Sequence, residues 1–119
     1  MSGFLNRLKV LVVDDEEQII SSVKLILADQ PQIEVIGASN AGATLEMFEK
    51  RNHQFALVLM DYNLEGISGA ELTQKILNIN PHQIIAMYSG VESREAAVSS
   101  WRSGAVDVLH KRNKIIPVR

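Results

Sequence analysis

Residues Phe55 to Gly69 read FALVLMDYNLEGISG, and this stretch decides the fold. An apolar run from Phe55 to Met60 stops on Asp61, a loop carrying Asn63 and two glycines follows, and a new helical pattern then begins. A strand that is apolar almost without interruption has both faces covered by helices. A carboxylate at its exit then lies where ligands bind in open α/β sheets, outside the carboxyl ends of the strands.

Working outward, the same habit recurs. Leu8 to Val13 (LKVLVV) is a short aliphatic strand ending on Asp14-Asp15-Glu16-Glu17. Ile19, Ile20, Val23, Ile26 and Leu27 then recur at helical spacing, which predicts a first helix over roughly Glu16 to Asp29 before Pro31. Ile33 to Ala38 reads as a second strand, and Ser39 or Asn40 caps a helix that turns Ala41, Leu45 and Phe48 inward. Past the central strand, Ser68-Gly69-Ala70-Glu71 is a capping box ahead of Leu72, Ile76, Leu77 and Ile79, ended by Asn80-Pro81. Gln83 to Tyr88 is a fourth strand broken by Ser89-Gly90. Ser93 caps a fourth helix with Ala97, Val98 and Trp101 inside and Gly104 as its left-handed C-terminal cap. The last strand, Val106 to His110, exits on Lys111.

Strict alternation of strand and helix calls for a parallel sheet with right-handed crossovers and helices on both faces. At 119 residues the expectation is one domain with a core over 8–111, followed by a basic tail or the start of a linker at 112–119. A net charge of −2 with interspersed signs offers no field for direct nucleic-acid or anionic-membrane binding. There is no cysteine and no run near the roughly 18 apolar residues of a membrane span, so the chain reads as a cytoplasmic, soluble protein. No nucleotide loop, nucleophile elbow or zinc motif is found, and His53, His82 and His110 lack metal-ligand spacing.

In a parallel sheet every strand exit shares one rim, so Asp14, Asp15, Asp61, Ser89 and Lys111 converge. Three carboxylates about 4 Å apart repel by roughly 4 kcal/mol per pair at an effective dielectric near 20, and a divalent cation offsets that. Oxygen-only ligands suit Mg²⁺. With the charge offset, Asp61 is the candidate nucleophile toward phosphorus, with Lys111 and Ser89 as donors to the phosphoryl oxygens. Structural duties compete with these roles: Asp14 and Asp15 as helix caps, Ser89 as the start of a box ending at Glu92, Lys111 as a solvated cation.

The set Asp14-Asp15 in VLVVDDE, Asp61 in LVLMDYNLEGISG, Ser89 after IIAMY and Lys111 closing GAVDVLHK resembles the receiver domains of bacterial two-component response regulators, including the single-domain chemotaxis regulator. The resemblance implies a flavodoxin-like five-stranded sheet in the order 2-1-3-4-5. It also implies phosphorylation of Asp61 from a sensor histidine kinase or phosphotransfer protein, with Mg²⁺ held by Asp15, Asp61 and the Asn63 carbonyl and assisted by Asp14. Ser89 would bind the phosphoryl group and Asp14 would hold Lys111. The product is a signalling switch that alters partner affinity, alone or through a C-terminal output domain outside this chain, rather than a turnover enzyme. Four departures stand beside it. Arg112 follows the lysine where proline is usual, Val108 occupies the place of a switch aromatic, Leu64-Glu65 replaces Met-Pro, and the family's fifth helix has no counterpart in KRNKIIPVR. A fifth helix that is short or missing leaves apolar surface to be covered by Ile115 and Ile116 or by a homodimer, and truncation of a longer regulator at a domain boundary explains it equally. Two other functions fit the same residues: a phosphorylation-independent pseudo-receiver that only binds partners, and a small Mg²⁺-dependent phosphotransferase.

Overall fold

The computed structural model describes residues 7–50, 54–89, 103–104 and 107–110, with backbone alone at 89 and 107–110. In chain order the elements are β1 (Leu8–Val13), α1 (Glu17–Ile26), β2 (Ile33–Ala38), α2 (Ala41–Glu49), β3 (Leu57–Asp61), α3 (Gly69–Ile79), β4 (Ile85–Ser89) and β5 (Asp107–His110). The strands form one parallel sheet in the order β2-β1-β3-β4-β5, the order expected from the sequence. The fourth helix expected from Ser93 lies outside the described residues, except that Ser103 is helical and Gly104 has φ +108, the left-handed conformation a C-terminal cap requires.

Period-two alternation sorts the strand side chains into two layers. Leu11, Val13, Val58, Met60, Ile85 and Met87 pack with Phe48 of α2 and with Leu72 and Ile76 of α3. Val10, Val12 and Tyr88 face the other way and pack with Ile20 and Val23 of α1, flanked by Leu57 and Leu59. Full burial of such aliphatic side chains stabilises by about 1.5–3 kcal/mol each, so the two layers hold the strands in register. The crossover helices have defined starts: the Asn40 side chain accepts from the Ala43 N–H at 2.8 Å, and Ser68 Oγ accepts from the Glu71 N–H at 3.1 Å.

Several boundaries differ from the sequence reading for physical reasons. α1 ends at Ile26 because residues 27–29 tighten into turns, with Leu27 N–H bonded to Val23 and Ala28 N–H to Leu25. Phe55 precedes β3 rather than opening it; it is buried against Phe48, ring centroids 5.5 Å apart. Gln83 lies before β4, buried, because its side-chain amide donates to the carbonyls of Phe55 and Ile84 at 3.0 and 3.1 Å. In α2 the fully buried position is Thr44, whose hydroxyl donates to the Asn40 carbonyl. That bond makes a polar residue tolerable on the inner face.

Candidate functional site

Asp14 follows the last residue of β1 and Asp61 is the last of β3, and both continue the alternation of the layer that faces α1. They are almost wholly buried, 0 % and 1 % exposed, whereas Asp15 is exposed. One carboxylate oxygen from each of the three lies within 4.8 Å of the others. The expected convergence of the β1 and β3 exits is therefore present.

Main-chain amides hold the three acids. Asp14 Oδ1 accepts from the Glu16 N–H at 2.8 Å, and Asp61 Oδ1 from the Asn63 N–H at 3.1 Å. Asp15 Oδ2 accepts from the Glu65 N–H at 3.1 Å, which ties the exit of β1 to the loop after β3. Bonds to ionised acceptors offset part of the desolvation of buried carboxylates. Asp14 does not cap α1 through its side chain in the ordinary way, since the cap position is Glu16.

One member of the site was not singled out from the sequence. Tyr88, the neighbour of Asp61 in the β3–β4 register, is fully buried, and its hydroxyl donates to Asp14 Oδ2 at 2.6 Å. Burial pushes the phenol strongly up; the hydrogen bond to Asp14 and the charges of Asp14, Asp61 and Glu16 act in the same direction. The signal was available: a tyrosine in an aliphatic central strand needs a partner for its hydroxyl.

Gly69 fixes how closely the loop returns. Its N–H donates to the Tyr62 carbonyl at 2.8 Å. A Cβ there would lie 2.3 Å from the Asp61 carbonyl oxygen and 2.8 Å from the Tyr62 Cα, so α3 can start against the exit of β3 only with glycine.

The other expected site residues are less fully placed. Ser89 ends β4 and pairs with His110, the last residue of β5; its side chain, like that of Val108, lies outside the described residues. Lys111, Arg112, Ile115 and Ile116 lie outside them as well. Asn63 is in the loop beside Asp61, its N–H on that carboxylate. The donors gathered here are all oxygens, two of them on buried carboxylates, which fits a hard divalent cation and not a thiophilic one.

The family model described as the response regulator receiver domain matches residues 10–116. The chain belongs to this family. Receiver domains are signalling switches of two-component systems rather than turnover enzymes. The transcriptional regulatory protein ComA of Bacillus subtilis is 35% identical over 114 residues, which cover 90% of this receiver and 52% of ComA. A protein-glutamate methylesterase/protein-glutamine glutaminase of Paramagnetospirillum magneticum is 31% identical, with 88% of this chain aligned to 30% of that protein. The receiver thus spans about half, or less, of these curated relatives. A CheY-like receiver from Methanospirillum hungatei superposes with a TM-score of 0.80 at 34% identity, covering 95% of this chain and 84% of that one. The Thermotoga maritima response regulator TrrA, solved in complex with Mg²⁺-BeF, gives 0.76 at 27% identity, covering 90% and 89%. Among the described residues no helix is long and apolar enough to cross a membrane.

Proposed function

We propose that this receiver accepts a phosphoryl group on Asp61 from a phosphohistidine of a sensor histidine kinase or phosphotransfer protein, with Mg²⁺ at the acidic cluster. The observation that carries the reading is the approach of the Asp14, Asp15 and Asp61 oxygens to within 4.8 Å of one another, two of these carboxylates being buried. Asp14, Asp15, Asp61 and the Asn63 carbonyl would hold the ion, which when bound offsets carboxylate charge and that of the incoming phosphoryl oxygens. An Asp61 carboxylate oxygen forms the new O–P bond as the P–N bond of the donor breaks and its electron pair returns to the imidazole nitrogen. Hydrolysis of the acyl phosphate restores the carboxylate and releases inorganic phosphate. Lys111 and the Ser89 hydroxyl are assigned to the phosphoryl oxygens. The domain works in the cytoplasm and passes its state to a partner or to an output domain.

Incubation with Mg²⁺ and acetyl phosphate, followed by intact mass, tests this directly. One added phosphoryl group in the wild type, absent in Asp61→Asn, is the expected result. No adduct in the wild type favours a phosphorylation-independent module, an adduct that persists in Asp61→Asn rejects the site, and multiple turnover of unrelated phosphoesters favours a phosphotransferase.

A further inference from the structure

We propose that Tyr88 is a positioning residue for the cation site, acting through Asp14; this rests on the reading of the acidic cluster as a Mg²⁺ site. β3 lies between β4 and β1, so the Tyr88 side chain spans the width of one strand to put its hydroxyl on Asp14. Its ring is fixed in the layer with Val10, Val12, Ile20 and Val23, and the hydroxyl has little freedom to leave. At 2.6 Å the bond is in the short range of O–H donors to ionised carboxylates.

Two donors to Asp14 fall on different oxygens. Glu16 N–H takes Oδ1 and Tyr88 O–H takes Oδ2, so the plane of the carboxylate is set from both ends. The amide on Oδ1 comes from Asp14's own turn and moves with it. The phenol on Oδ2 comes from another strand and fixes Asp14 relative to Asp61, the register partner of Tyr88. Groups that orient ligating carboxylates in this way typically change metal affinity 10–100-fold when removed.

Tyr88→Phe keeps the ring and deletes the donor. Calorimetric titration of the full chain with MgCl₂ should show binding on the order of tenfold weaker than in the wild type. Phosphoryl uptake from acetyl phosphate should need a correspondingly higher Mg²⁺ concentration to reach half its maximal rate. A variant that binds Mg²⁺ as tightly as the wild type overturns the role of Tyr88 and leaves the phosphoacceptor reading standing; a wild type that binds no Mg²⁺ overturns both. Should Tyr88→Phe not fold, Tyr62→Phe supplies the second measurement, because it leaves Tyr88 as the only tyrosine. The near-ultraviolet tyrosine band of that variant should shift when Mg²⁺ is added, and a band that does not move refutes the coupling.

Discussion

Gly69→Ala is the substitution whose outcome follows most directly from the coordinates. The added methyl would sit 2.3 Å from the Asp61 carbonyl oxygen, 2.8 Å from the Tyr62 Cα and 3.0 Å from the Asp61 carbonyl carbon. All three are backbone atoms, so no rotamer change relieves the overlap, and the start of α3 must separate from the exit of β3. Overpacking of this kind costs about 1–3 kcal/mol. Against it stands the intrinsic preference of helices for alanine over glycine, at most about 1 kcal/mol and smaller in a first turn. A net loss near 2 kcal/mol lowers the melting temperature of a chain of this length by roughly 8 °C. The displacement falls on the backbone of Asp61, the proposed phosphoacceptor, so phosphoryl uptake should slow beyond what the unfolded fraction explains. Thermal unfolding and timed intact-mass measurements, made well below the transition, separate the two effects. Gly42→Ala is the matched control, since its nearest neighbour would be Asn40 Oδ1 at 3.4 Å, an ordinary contact, and it should be neutral or slightly stabilising. A Gly69→Ala variant as stable and as reactive as this control would refute the packing account.

Three further expectations are simpler. Ser68→Ala removes the oxygen that accepts the Glu71 N–H and should cost about 1 kcal/mol in denaturant unfolding, with no change in Mg²⁺ affinity. Mg²⁺ at a hundred times its dissociation constant should stabilise the wild type by about 2.7 kcal/mol over the chelated protein, and Asp61→Asn by clearly less; equal shifts in a thermal melt would remove the cluster as the binding site. The raised Tyr88 phenol stays protonated in the folded chain while unfolded tyrosine ionises near about pH 10, so its contribution is complete below that value and is lost as pH rises above it. Above about pH 10 the wild type should therefore lose stability more steeply than Tyr88→Phe, by up to about 1.4 kcal/mol per pH unit in denaturant titrations.

The sequence made the sheet legible because its central strands carry aliphatic runs stopped by acids, as in VLVVDD and LVLMD. Strand order followed from the family pattern, and the convergence of Asp14, Asp15 and Asp61 followed from parallel pairing alone. Boundaries were less legible where a side chain took over a backbone task. Gln83 looks like the first residue of a strand, yet its amide serves the carbonyl of Phe55; Thr44 looks like a surface residue, yet its hydroxyl closes on Asn40. Tyr88 signals that its hydroxyl needs a partner, but which partner is not legible locally, because Asp14 lies 74 positions earlier and two strands away.

The bond from the Glu65 amide to Asp15 carries a consequence of its own. A proline at position 65 would have no hydrogen to offer there. In this chain the exposed acid is instead moored, across 50 residues, to the rim of the loop that follows Asp61. Because that bond comes from a main-chain amide, the position of the exposed Asp15 carboxylate and the path of the backbone at Glu65 are set together.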